Sequence, residues 1–164
     1  MPRGGMERAS YLEAKFGGKA NAVKVYARIE QAAHDAGLAI DFAAMKRMPN
    51  SLDAHRLIHW AGLEGRQSAM VNALFRAFFR EGRDIGDAGV LTALAGEAGL
   101  DTAFIARLLA SDADREDISA RDTHARQRGV NGVPTFVIAN QHVLSGAQPV
   151  ELWAQVIGEL AGKA

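Results

Sequence analysis

The chain contains no cysteine, and that absence excludes more chemistry than any residue present assigns. No disulfide can form, no thiolate is available as a nucleophile, and no sulfur ligand can hold zinc. An excess of one charge is lacking too. Nineteen basic and nineteen acidic residues cancel over 164 residues, so no long-range field favours nucleic acid or an anionic membrane. No run approaches the roughly 18 apolar residues of a membrane span, and the opening Met1-Pro-Arg-Gly-Gly-Met-Glu-Arg8 lacks the apolar stretch of a secretory leader. Internal repeats and low-complexity linkers are missing as well. Together these absences predict a soluble, cytoplasmic protein with neither nucleic acid nor membrane as a partner.

What is there is globular composition, 48% hydrophobic and 23% charged, in a chain long enough to bury a core. About 125 residues read as successive helices. Residues 7–16 and 19–36 are two, the second carrying Ala20, Val23, Tyr26, Ile29 and Ala33 on one stripe and ending at Gly37. Leu38, Ile40 and Phe42 alternate with smaller or polar neighbours, as in an extended segment or a short buried strand. Asn50 or Ser51 is placed to cap a helix of about 52–64. In the helix of about 67–82, Phe75 and Phe79 flank the stripe of Met70, Ala73, Leu74, Ala77 and Phe78, which predicts burial on more than one side. Asp84 or Asp87 starts a helix ending near Gly99, and Asp101 starts one ending near Ser111. The segment 112–128 reads as a helix polar on most faces.

The period then changes at Gly129-Val-Asn-Gly-Val-Pro-Thr-Phe136. Pro134 has no N–H and steers Val133 away from helical angles, so Thr135–Ala139 enters as a strand. Asn140-Gln141 is a two-residue connection to a strand at His142–Leu144, and Pro149 suits the first turn of a last helix. That helix carries Leu152, Trp153, Val156, Ile157 and Leu160 as its stripe. Two short strands after a helical block are an odd inventory for a complete domain.

Three motifs in order carry a resemblance. They are Met1 to Gly18 (MPRGGMERASYLEAKFGG), Asn50-Ser-Leu-Asp-Ala-His-Arg56, and Gly129 to Phe136 followed by Ser145-Gly-Ala-Gln-Pro149. On these the chain resembles the DsbA-like thioredoxin superfamily, and within it the FrnE-type oxidoreductases. The resemblance implies an α/β, incomplete thioredoxin-like fold: a C-terminal β-hairpin plus helix with a large inserted all-helical domain. Residues 1–6 would be the remnant of a linker, 7–115 the helical insertion, and 116–164 the helix, two strands and helix of the thioredoxin part. The family's strand, Cys-x-x-Cys motif, helix and second strand have no counterpart here.

What the resemblance implies for function follows from the loop. Val133, Pro134 and Thr135 would bind a thiol or disulfide peptide, or a glutathione-like substrate, through backbone at a cis proline. No catalytic residue and no cofactor is assigned, because a cysteine-free chain cannot perform dithiol exchange by itself. Two alternatives stay open. One is a non-catalytic module that binds peptide or pairs with a second copy through the Thr135–Ala139 edge. The other is a glutathione-dependent isomerase of the kappa-transferase or 2-hydroxychromene-2-carboxylate type. Asn50, Ser51 and His55 are either ligand contacts or helix-cap residues. His55 and His59 share the i, i+4 spacing of zinc-binding histidines, yet Arg56 stands where a zinc protease has its general base, and no third ligand follows. Purified chain should therefore carry no zinc by elemental analysis; a stoichiometric amount would overturn that reading.

Overall fold

Apolar periodicity, side-chain caps and glycine stops set the helices. The computed structural model of the chain describes residues 1–162. It falls into two compact units, Met1–Ser119 and Ala120–Ala164, and its content is mixed α/β, rich in helix with few and short strands.

In the first unit a two-residue strand β1 (Met6–Glu7) leads directly into α1 (Arg8–Phe16). Glu7 caps that helix: one carboxylate oxygen accepts from the N–H of Ala9 at 3.0 Å, the other from the N–H of Ser10 at 2.7 Å and its hydroxyl at 3.0 Å. Gly17, at φ 69°, closes α1 in the left-handed conformation. Helix α2 (Lys19–Asp35) follows, and the chain returns through residues 36–46 to β2 (Arg47–Met48), antiparallel to β1 with Met6 opposite Met48.

The segment at Leu38–Phe42 is not a strand. Asp41 instead gives its N–H to the carbonyl of Phe79 at 2.8 Å, and its carboxylate accepts from the N–H groups of Ala43 and Ala44, each at 2.9 Å. This turn meets the end of α4 at Gly82. There φ is +64°, and a Cβ would fall 2.4 Å from the Ala44 carbonyl oxygen.

The core belongs to α3 (Leu52–Leu63), α4 (Gln67–Phe79), α5 (Ala88–Glu97) and α6 (Thr102–Ala110). Helix α3 packs on α4 and α5, and α5 on α4 and α6. Leu57, Met70, Leu91 and Leu94 are fully buried between them, each worth about 1.5–3 kcal/mol of transfer free energy. Asp87 caps α5 through the Val90 N–H (2.8 Å) and Asp101 caps α6 through the Phe104 N–H (2.9 Å). Two expectations need correction. Phe75 is 59% exposed, so α4 is buried on one side only, because the stripe through Met70 and Leu74 already takes the whole packed face. The polar helix α7 begins at Arg115 and runs to Gln127, with residues 112–114 forming a turn instead.

In the second unit β3 (Thr135–Ile138) pairs antiparallel with β4 (His142–Ser145), Phe136 opposite Leu144. The connection is Ala139–Gln141, one residue longer than read from sequence. Ala139 and Asn140 both take positive φ (49° and 56°), and the Gln141 N–H closes the turn on the Ile138 carbonyl at 3.1 Å. Helix α8 (Val150–Ala161) starts after Pro149 and lays Trp153 edge-on against Phe136, ring centres 4.7 Å apart. Among the described residues of this unit none is buried.

The Glu7 cap has a titration signature. Backbone N–H donation from Ala9 and Ser10 holds its carboxyl below the ordinary glutamate value. A carboxylate lowered on folding stabilises fully above its unfolded pKa and loses that contribution as pH falls through the folded one. Glu7→Gln should therefore lower Tm at neutral pH, with the gap to the parent chain closing on acidification below the glutamate range. A gap unchanged with pH would refute the cap's charge.

Candidate functional site

The segment that sequence places at the centre of function lies where α7's unit-2 end gives way to β3. Gly129 stands at φ 89° and gives its N–H to the Arg126 carbonyl at 2.9 Å, ending the helix. The chain then runs out to Val133, whose side chain is 92% exposed. Neither backbone group of Val133 is hydrogen-bonded among the described residues. The Val133–Pro134 peptide is cis. On either side the segment is fastened: the Thr135 hydroxyl donates to the Gly132 carbonyl at 2.7 Å, and the Gly146 N–H donates to the Pro134 carbonyl at 2.7 Å. A free donor and acceptor on one residue, held between two fixed points, can pair with an extended backbone.

Asn50, Ser51 and His55 belong to the first unit. Asn50, not Ser51, supplies the cap, its side-chain oxygen accepting the Leu52 N–H at 3.1 Å while its amide reaches the carbonyls of Met1 and Pro2, both at 3.3 Å. Ser51 makes no side-chain cap. His55 is exposed and gives only its helical N–H to the Ser51 carbonyl at 3.0 Å, so it neither packs nor caps; His59, half-buried, sits one turn on. Among the described residues no group of three His, Cys, Asp or Glu side chains is arranged to hold a metal.

Sequence reasoning missed the most constrained residue of this motif. Arg56 is the one buried charged side chain among the described residues. Its Nε donates to the Ala113 carbonyl (2.7 Å), one terminal nitrogen to Asp53 (2.8 Å), and the other to the carbonyls of Leu108 (2.8 Å) and Ser111 (2.9 Å). The same Asp53 oxygen accepts from Arg115 at 2.8 Å. Trp60 stacks under the guanidinium at 4.9 Å, and its ring N–H donates to Asp114 at 2.7 Å. Cationic Arg56 thus meets the carbonyls at the end of α6, where the helix dipole favours positive charge. The signal was available: Asp53, Arg56 and Trp60 stand at i, i+3 and i+7, one face of one helix.

Removing Arg56 should be severe. Arg56→Ala leaves Asp53 with Arg115 alone and strands the carbonyls of Ser111 and Ala113, while Leu108 keeps the Ser111 N–H and hydroxyl, a loss of about 3–5 kcal/mol. Chemical denaturation checks this, and a change under 1 kcal/mol would show the network to be idle.

Three comparisons bear on this geometry. Residues 3–158 match the family described as DSBA-like thioredoxin domain. The uncharacterised protein YwbO of Bacillus subtilis is 29% identical over 132 residues, covering 80% of this chain. The chain spans 66% of that relative's length. A probable DsbA oxidoreductase from Streptomyces coelicolor superposes with TM-score 0.85 at 31% identity, covering 97% of this chain and 69% of that one. A 2-hydroxychromene-2-carboxylate isomerase superposes with TM-score 0.70 at 21% identity, over 94% of this chain and 78% of its own, a likeness of fold.

Proposed function

The chain belongs to the DSBA-like thioredoxin domain family, and from that premise we propose that Val133-Pro134-Thr135 is the substrate-holding loop of a FrnE-like thiol–disulfide oxidoreductase. The observation that carries the reading is the Val133 backbone, exposed and unpaired among the described residues at the threshold of β3. Its N–H and C=O would take a short stretch of peptide carrying a cysteine or disulfide, or the backbone of glutathione, in the manner of an added strand. Val133's side chain would lie close to the attacking sulfur.

Dithiol exchange needs an attacking and a resolving thiol. These residues hold neither, so their part in that chemistry is to bind. A cytoplasmic setting fits this reading, since the fold has no disulfide to maintain; among the described residues no helix is long and apolar enough to cross a membrane.

Self-association is a second reading, favoured by the second unit's lack of a buried residue among those described and by Val137 and Val143 at 57% and 61% exposure. A second copy pairing along Thr135–Ala139 would cover them. The kappa-transferase-like isomerase reading rests on the fold shared with the isomerase above. It differs in requiring glutathione alone.

Calorimetric titration with glutathione disulfide and with a cysteine-containing peptide separates these. Binding of both, weakened at least about tenfold in Pro134→Ala, is the expected result, because the proline ring fixes the backbone angle that shapes the loop. Unchanged binding in that variant counts against the loop. Glutathione binding without peptide binding favours the isomerase reading, and a concentration-independent monomer by light scattering removes the dimer. Insulin-reduction and disulfide-oxidation assays on the chain alone should be negative; turnover in either would overturn the binding-only role.

A further inference from the structure

A cleft of about 800 Å3 lies within the first unit between α1, α2 and residues 40–46, inside the size range of small-molecule sites. Its walls are largely apolar, with Leu12 from α1, Val23 and Tyr26 from α2, and Ile40, Phe42 and Met45 from the returning segment. Val23 is 60% exposed, so the cleft is open to solvent along α2.

One cation stands in this apolar setting. The Arg8 guanidinium lies over the Tyr26 ring at 4.7 Å and near the Phe42 ring at 5.7 Å, and those two rings meet edge to face at 4.8 Å. Arg8 Nε is out of reach of water and has no acceptor among the described residues. No carboxylate among them forms an ion pair with Arg8.

The acidic side chains nearby do not meet that need. Glu7 accepts from Ala9 and Ser10 and feels the Arg8 charge through space with no hydrogen bond to it, and Asp41 accepts from Ala43 and Ala44. Glu13 and Glu30, like Lys19 and Lys46, line the cleft as exposed side chains. A guanidinium against aromatic faces, short of acceptors and walled by hydrocarbon, suits a ligand that brings both an acceptor and an apolar body.

We propose that this cleft binds a small amphiphilic carboxylate, its head group on the Arg8 guanidinium and its hydrocarbon against Leu12, Val23 and Phe42. The cleft is lined by first-unit residues alone, and the Val133 loop belongs to the second unit.

Octanoate and the neutral 1-octanol are the probes, followed by chemical-shift titration of α1 and α2 amides in the full chain. Octanoate should shift them, and octanol should bind at least about tenfold more weakly, since a neutral head group forms no charge-assisted hydrogen bond with the guanidinium. Arg8→Gln should bring octanoate down to the octanol level, and Val23→Trp, which fills the cleft from an exposed position, should abolish both. Val137→Asp, on the hairpin, should change nothing. Equal binding of the two probes would overturn the proposal. So would full octanoate affinity in Arg8→Gln, or loss in Val137→Asp with retention in Val23→Trp. Should Arg8→Gln fail to fold by circular dichroism, the probe pair with Val23→Trp still decides.

Discussion

The first unit depends on a single buried cation. Arg56 is sealed from water, and a guanidinium in that position survives only if its N–H groups are nearly all matched. Four of its five donors find partners: a carboxylate on its own helix and three carbonyls from residues 108–113. The cation therefore dictates where α6 stops and where the chain turns before α7. It also explains the left-handed Asp114, at φ 57°, which brings that carboxylate to the Trp60 N–H. Lysine could not replace it. A point charge on a flexible stem cannot reach four acceptors in one plane.

The two units differ in how they are made. Fourteen residues in the first form one continuous core across α3–α6, whereas the second has a hairpin and a helix meeting through Phe136 and Trp153 with no buried side chain described. Hairpins of this size are marginal in water without further cover. The functional reading follows the same division. Its binding backbone sits in the sparsely packed unit, and the packed unit supplies a scaffold with a cleft of its own.

Legibility in the sequence tracked the range of the interactions. Helices with a 3.6-residue stripe and an aspartate at the start, such as α5 and α6, could be read from a dozen residues because everything that makes them is local. Thr135–Ile138 was legible for the same reason, through Pro134 and the β-branched run. The short strands β1 and β2 were not, since Met6 and Met48 define one another across forty residues and neither has a pattern alone. Leu38–Phe42 alternated like a strand but ends in a turn fastened by Asp41. Of the candidate site, the loop at 133–135 and the Asn50 cap were visible; Arg56 was passed over, because it acquires its meaning only from carbonyls more than fifty residues away. Arg8 gave no local signal at all, its two aromatic neighbours being distant in the chain.

The contact at Gly82 bears on inheritance as much as on folding. Position 82 does not line the cleft, yet its missing Cβ lets the 40–46 segment lie against the end of α4, with the Ala44 carbonyl where a methyl would otherwise be. Any other residue there must also hold φ near +64°. Sequence drift at this codon would push the cleft's wall outward while leaving every lining residue in place. A lineage could lose whatever the cleft holds through a glycine that never touches it.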